Sequence, residues 1–171
     1  GPQDGFVARL SPDGATLWST YYGGADGMAV DDVFVLGSGE ILVGPNAERM
    51  HPNHRISASA YQTRIRGERD MLIAKLSADG SKILAASYYG GSRRMDSHIS
   101  VIADAAGNIY ALQGTDSRDA PTTPGVLQRE FAGGESDMIL VKLSPDLSRL
   151  LQATYFGGNG KDFSEGFTLD V

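Results

Sequence analysis

The sequence predicts an all-β protein made of consecutive four-stranded antiparallel units. Three observations predict it. A 67-residue pattern recurs along the chain, marked by paired glycines at Gly23-Gly24, Gly90-Gly91 and Gly157-Gly158. Short apolar runs alternate with turns that carry Asp and Gly, the sequence pattern of strands and hairpins. No window sustains the 3.6-residue apolar spacing of an amphipathic helix. Gly supplies 22 of 171 residues, well above the usual share of about 7%. With only 7 Pro and no Gly-X-Y period, that excess belongs to tight turns.

Three segments carry the pattern: FVARLSPDGATLWSTYYGG from Phe6, MLIAKLSADGSKILAASYYGG from Met71 and MILVKLSPDLSRLLQATYFGG from Met138. Met71–Leu76 and Ile83–Tyr89 read as a strand pair joined by Ser77-Ala78-Asp79-Gly80. Asp there bonds the backbone ahead and Gly takes the positive φ that closes the turn. The first copy, Ser11-Pro12-Asp13-Gly14, is one residue shorter in this turn. The third has Asp146-Leu147, so the absent Gly predicts a longer turn or one of another type. A second pair, His98–Ala103 and Asn108–Leu112, spans Asp104-Ala105-Ala106-Gly107, and AVDDVFVLGSGEILVG is its first-copy counterpart. The long connections also match, placing Gln62 opposite Gln128 and Asp70 opposite Asp137. Connections of about twenty residues, such as Thr115–Asp137, carry function or pack as covers. Four-stranded antiparallel units in tandem are the pattern of β-propeller blades.

The motifs D-x-x-hydrophobic-x-K/R-L-S-x-D-G, T/S-Y-Y/F-G-G, the ADAAGNIY run at Ala103–Tyr110 and PTTPGVLQ at Pro121–Gln128 together resemble the SBBP repeat. That is a bacterial β-propeller repeat of large exported proteins, and the resemblance covers essentially the whole chain. By likeness to related NHL-type propellers, it implies inner strands near Met28–Val35, Ile99–Ala103 and Gly166–Asp170. The chain then divides into an outer strand pair (1–24), two complete blades (25–91 and 92–158) and the inner strand of a further blade (159–171). About 2.5 repeats make a piece of a larger ring, since propellers close with about four to eight blades.

Composition narrows the function. Net charge −6, from 15 Lys+Arg against 21 Asp+Glu, argues against nucleic acid as a partner. Zero Cys removes disulfides, thiolate zinc sites and Cys nucleophiles. No apolar run approaches the roughly 20 residues of a membrane span. The N-terminal GPQDGFVARL lacks the basic-then-apolar order of a signal peptide, so an export signal is expected upstream.

Each candidate site competes with a structural explanation. Tyr21-Tyr22-Gly23-Gly24 and its copies could be a ligand platform, but threefold repetition favours Tyr packing between blades with Gly allowing a tight crossover. The acids after the Gly pairs (Asp26, Asp31, Asp32, Asp96, Asp162 and Glu165) suit a hard cation. Their spacing differs among copies, Arg93 and Arg94 intrude in the second, and no EF-hand pattern appears. His51 and His54 lack the third ligand that zinc requires. His98, at the entry to an inner strand, is a structural histidine by default. Arg64, Arg66 and Arg69 beside Glu68 and Asp70 read as a salt-bridged surface rather than a phosphate site. Trp18, compared with Leu84, reads as a packing residue. Neither a nucleophile elbow nor a phosphate loop is present.

The expectation is therefore a non-catalytic scaffold or interaction module, extracellular or on a bacterial cell surface. No catalytic residue, cofactor or metal is assigned to it. Its partners would be a protein or glycan at the loop face and the remainder of its own chain or a larger assembly. The alternative is a propeller enzyme or lectin-like protein whose central channel gathers Asp32, His98 and Glu165.

Overall fold

The computed structural model describes residues 4–23, 28–48, 55–164 and 166–170. They form ten strands and, among the described residues, no helix. In chain order these are β1 (Gly5–Leu10), β2 (Thr16–Tyr22), β3 (Val30–Val35), β4 (Ile41–Glu48), β5 (Arg69–Leu76), β6 (Ile83–Tyr89), β7 (Met95–Ala103), β8 (Ile109–Thr115), β9 (Asp137–Leu143) and β10 (Leu150–Phe156). Three antiparallel sheets result: the pair β1-β2, the meander β3-β4-β5-β6 and the meander β7-β8-β9-β10. Among the described residues the sheets close neither a barrel nor a ring.

Strand alternation explains how the sheets stack. Along β5, Leu72, Ala74 and Leu76 join a core with Val7 and Tyr22 of the first sheet. Met71 and Ile73 point the other way, into a core with Ile139, Val141 and Tyr155 of the third. A central sheet buried on both faces has to be apolar on both, which is why MLIAKL reads as a nearly unbroken apolar run.

The hairpin turns repeat closely. Gly14, Gly80 and Gly107 have positive φ, and each N–H bonds the carbonyl three residues back, on Ser11, Ser77 and Asp104. The Ser11 N–H bonds the carbonyl of Ala15, whereas the Ser77 N–H reaches Lys82, so the one-residue difference between copies falls in this turn. The turn at Leu147 corrects the expectation of a different geometry. Leu147 adopts φ 59°, its N–H bonds the Ser144 carbonyl at 2.8 Å, and the Ser144 N–H bonds Arg149. The turn keeps its length and type, and a leucine occupies the left-handed position.

Packing explains that leucine. The register sets Trp18 opposite Arg9 and Ala85 opposite Lys75, so Ala85 is the true counterpart of Trp18, not Leu84. At the first interface Trp18 lies over the β5-β6 turn, where a Cβ on Gly80 would come within 2.7 Å of its ring. At the second interface the small residue is Ala85, and the fully buried Leu147 belongs to the same core. Large-over-small becomes small-over-large, which conserves the filled volume.

The first glycine of each pair also has a spatial role. Gly23, Gly90 and Gly157 do not have positive φ. A Cβ on each would instead strike the carboxylate of Asp4, Asp70 or Asp137. Asp70 is fully buried; it accepts the Gln62 Nε2 at 2.5 Å and the backbone N–H groups of Arg66 and Gly67. The Gly90 N–H bonds Gln62 Oε1 at 3.2 Å. Gln128, Asp137, Ala132 and Gly157 repeat the arrangement. The motif is a close approach between backbone and a carboxylate, which is buried in the second and third copies.

The long connections are covers. The Ser57 N–H bonds the Ala86 carbonyl and the Tyr88 N–H bonds the Gln62 carbonyl; Thr123 and Gln128 do the same along β10. Each connection thus occupies the outer edge of its own sheet, an edge that otherwise invites pairing. Pro121 and Ser117 add carbonyls for the buried hydroxyls of Tyr89 and Tyr155.

Three boundaries differ from expectation. The first inner strand is β3, beginning at Val30, and its counterpart β7 begins at Met95. Residues 166–170 form no strand.

Candidate functional site

The innermost strands converge. Isolated parallel bridges join Asp4 to Met28, Arg69 to Arg94 and Ser136 to Lys161. After each Gly pair the chain therefore returns beside the residues at the start of β1, β5 or β9. β3, β7 and the residues Ser164, Gly166 and Phe167 surround a crevice of about 450 Å³. Asp31, Asp32, His98, Ser100, Ser164 and Phe167 line it.

Asp32 braces the stack. Its carboxylate accepts the Val33 N–H and, across the interface, the Val101 N–H, both at 2.8 Å. Asp31 is the chemically distinctive group, and spacing alone gave it no precedence over its neighbours. Its side chain is 9% exposed and lies 3.7 Å from Nδ1 of His98, whose ring is 87% exposed. Burial pushes the Asp31 carboxyl above the usual carboxylate range, against the lowering pull of His98, the Ile99 N–H and Arg69. The arrangement offers a poorly solvated acceptor beside an imidazole that solvent reaches freely. That suits a hydroxyl- or amide-bearing ligand, or transfer of a proton between the two.

The turn carboxylates behave oppositely. The Asn108 side chain holds Asp104 down to about 2; Ser77 and Ser144 do the same for Asp79 and Asp146. A carboxyl raised by folding favours the folded state as pH falls, whereas these three stabilise it above their unfolded pKa and cease to as pH drops through about 2. Carboxyl-carbon NMR titration is expected to find Asp31 above 3.8 and the three turn carboxyls near 2. His98→Ala is expected to move Asp31 higher still, since a lowering influence is removed. An unchanged Asp31 titration would show that the two groups do not interact.

The remaining candidates separate. His51, His54, Asp26 and Glu165 lie outside the described residues, and so does the side chain of Asp96. Asp162 accepts the Gly158 N–H at 2.9 Å. Among the described residues, no three His, Asp or Glu are placed to hold a metal ion. Within the basic cluster, Asp70 is buried rather than on the surface. The backbone of Arg66 donates to that carboxylate, and the Arg64 carbonyl takes the Gln62 amide. Tyr22, Tyr88, Tyr89 and Tyr155 are buried between sheets, whereas Tyr21 is exposed. A larger opening of about 630 Å³ between β2 and β6 has neither a carboxylate nor an imidazole in its lining.

No family model matches the chain, and no curated protein matches it. Among the described residues, no helix is long and apolar enough to cross a membrane.

Proposed function

We propose that the chain is a run of SBBP-type β-propeller blades serving as a non-catalytic interaction scaffold of an exported or cell-surface bacterial protein. It binds a protein or glycan partner at the crevice between β3 and β7. One observation carries the reading: the residues that repeat are consumed by packing, while unlike polar residues gather at one rim. Gln62, Asp70 and Gly90 recur as Gln128, Asp137 and Gly157 in the same hydrogen-bonded node. Asp31 and His98 instead meet across two sheets and belong to no repeated node. The long connections are spent on edge protection, which leaves the crevice as the place where specificity resides.

The Asp31–His98 pair also favours a second reading, a propeller enzyme or lectin-like protein using the pair at a central channel. One experiment separates them. Arrays of glycans and peptides are probed with the chain and with Asp31→Asn and His98→Ala, and bound ligands are checked for turnover. The scaffold reading expects binding weakened by roughly tenfold or more in both variants, with the ligand unaltered. Cleavage of the ligand, abolished by His98→Ala, would establish the enzyme instead. Binding unaffected by either variant would exclude the crevice.

A further inference from the structure

Three exposed arginines gather at the seam between the second and third sheets, and the fold does not use their side chains. Gly67 packs against the Arg93 carbonyl, which the Glu68 N–H bonds at 3.2 Å. The backbone of Arg66 is thereby brought up to that of Arg93, with Arg64 two residues before it; all three are exposed. The third sheet builds the same backbone without the charges. The Gln62 amide bonds the Arg64 carbonyl as the Gln128 amide bonds that of Glu130. Arg66 and Ala132 give their N–H groups to Asp70 and Asp137. The N–H groups of Glu68 and Glu135 bond the carbonyls of Arg93 and Gly160. Glu, Ala and Gly therefore stand where the three arginines stand, and the geometry survives.

The neighbouring acids are mostly occupied. Asp70 is fully buried in its node. Asp116 accepts the Arg94 N–H at 2.7 Å, and Asp119 accepts the Ser92 N–H and hydroxyl at 2.8 and 3.0 Å. Glu68 is the exposed acid of the group. Among the described residues, no carboxylate forms an ion pair with Arg64, Arg66 or Arg93. A chain of net charge −6 thus carries a locally positive surface. Both sheets of the seam are present, so neither end of the sequence creates this exposure.

We infer that the seam binds an acidic polysaccharide, a chain of sugars bearing carboxylate or sulfate groups. The guanidinium fork matches such groups. Three features select this partner. The arginines line neither crevice, so the surface is open and suits an extended polymer better than one small anion. None of the exposed large apolar side chains lies in 64–69, 91–94 or 116–119, and a protein interface centres on such anchors. Their absence also leaves no aromatic platform for single-stranded nucleic acid, while the net negative charge opposes a duplex. The seam stands apart from the Asp31–His98 crevice and does not depend on what binds there.

Immobilised polygalacturonate, dextran sulfate and neutral dextran test it by surface plasmon resonance at two salt concentrations. The native chain is expected to bind at least one charged polymer, to bind it less as salt screens the arginines, and to ignore dextran. Arg66→Ala with Arg93→Ala keeps the backbone that the third sheet forms without these charges, which circular dichroism verifies. It is expected to weaken binding at least about tenfold. Arg129→Gln removes an exposed arginine outside the seam, and His98→Ala alters the crevice; both are expected to bind as the native chain does. Failure of the native chain to bind either charged polymer would overturn the inference. So would native-like binding by the double variant, or a comparable loss in Arg129→Gln or His98→Ala. Binding of poly-glutamate or an oligonucleotide as tight as that of the polysaccharide would also overturn it, and assign the seam to that class instead.

Discussion

Gly90→Ala is expected to lower the stability of the chain by about 4 kcal/mol, the sum of forced repacking and a broken buried hydrogen-bond node. The backbone there is not in the left-handed region, so alanine carries no conformational penalty. The cost is spatial. The new methyl group would occupy the position of the Asp70 carboxylate, which is fully buried and satisfied by Gln62, Arg66 and Gly67. Moving the carboxylate aside strands two backbone N–H groups and a side-chain amide. Gly158→Ala supplies the comparison, because nothing lies within 4 Å of its would-be Cβ; it should cost no more than about 0.5 kcal/mol. Urea denaturation of the two variants reads the difference. Equal midpoints would refute the close-approach explanation of the paired glycines.

Leu147→Gly is expected to destabilise the chain by about 2 kcal/mol, although it restores the residue that the turn's other copies carry. Two terms compete. Relief of the left-handed conformation returns about 1–2 kcal/mol, while removing a fully buried leucine side chain costs about 2–5 kcal/mol. Burial wins, because Leu147 is fully buried in the core that also holds Ala85, whereas at the first interface Trp18 lies over Gly80. Adding Ala85→Trp to Leu147→Gly recreates the first-interface combination. The pair should recover at least about 1 kcal/mol relative to the sum of the single changes. A Leu147→Gly variant more stable than the native chain would show that backbone strain, not packing, governs the turn.

The strand pattern was legible because it depends on local chemistry. Asp-Gly turns, alternating apolar runs and a strict period place β5 and β6 within two residues, whereas β8 runs three residues past the expected Leu112. The pairing of Gln62 with Gln128 and of Asp70 with Asp137 was equally plain in the sequence, but their common role was not. A carboxylate flanked by three arginines in sequence looks like a surface ion pair. Only the fold turns Asp70 inward against Gly90. Comparing Trp18 with Leu84 matches an aromatic to the nearest large apolar residue, although the 67-residue period already sets Trp18 opposite Ala85. The candidate site was half visible. The sequence marks His98 and Asp32, but Asp31 is the extra residue of a β-bulge in β3, where the alternation of strand faces breaks down. Which of the two reaches the imidazole is set by how β3 lies against β7.

The sequence by itself determined the all-β character, the period and the turns, since these follow from the backbone preferences of a few residues and the spacing of apolar ones. The tertiary structure alone decided which aromatics are covered, why Gly90 has to lack a side chain and how a leucine came to occupy a glycine's position. Those answers depend on distances between segments far apart in the chain. A repeat assigns each unit the same letters, but whether Tyr21 is core or surface depends on whether another sheet stands in front of it.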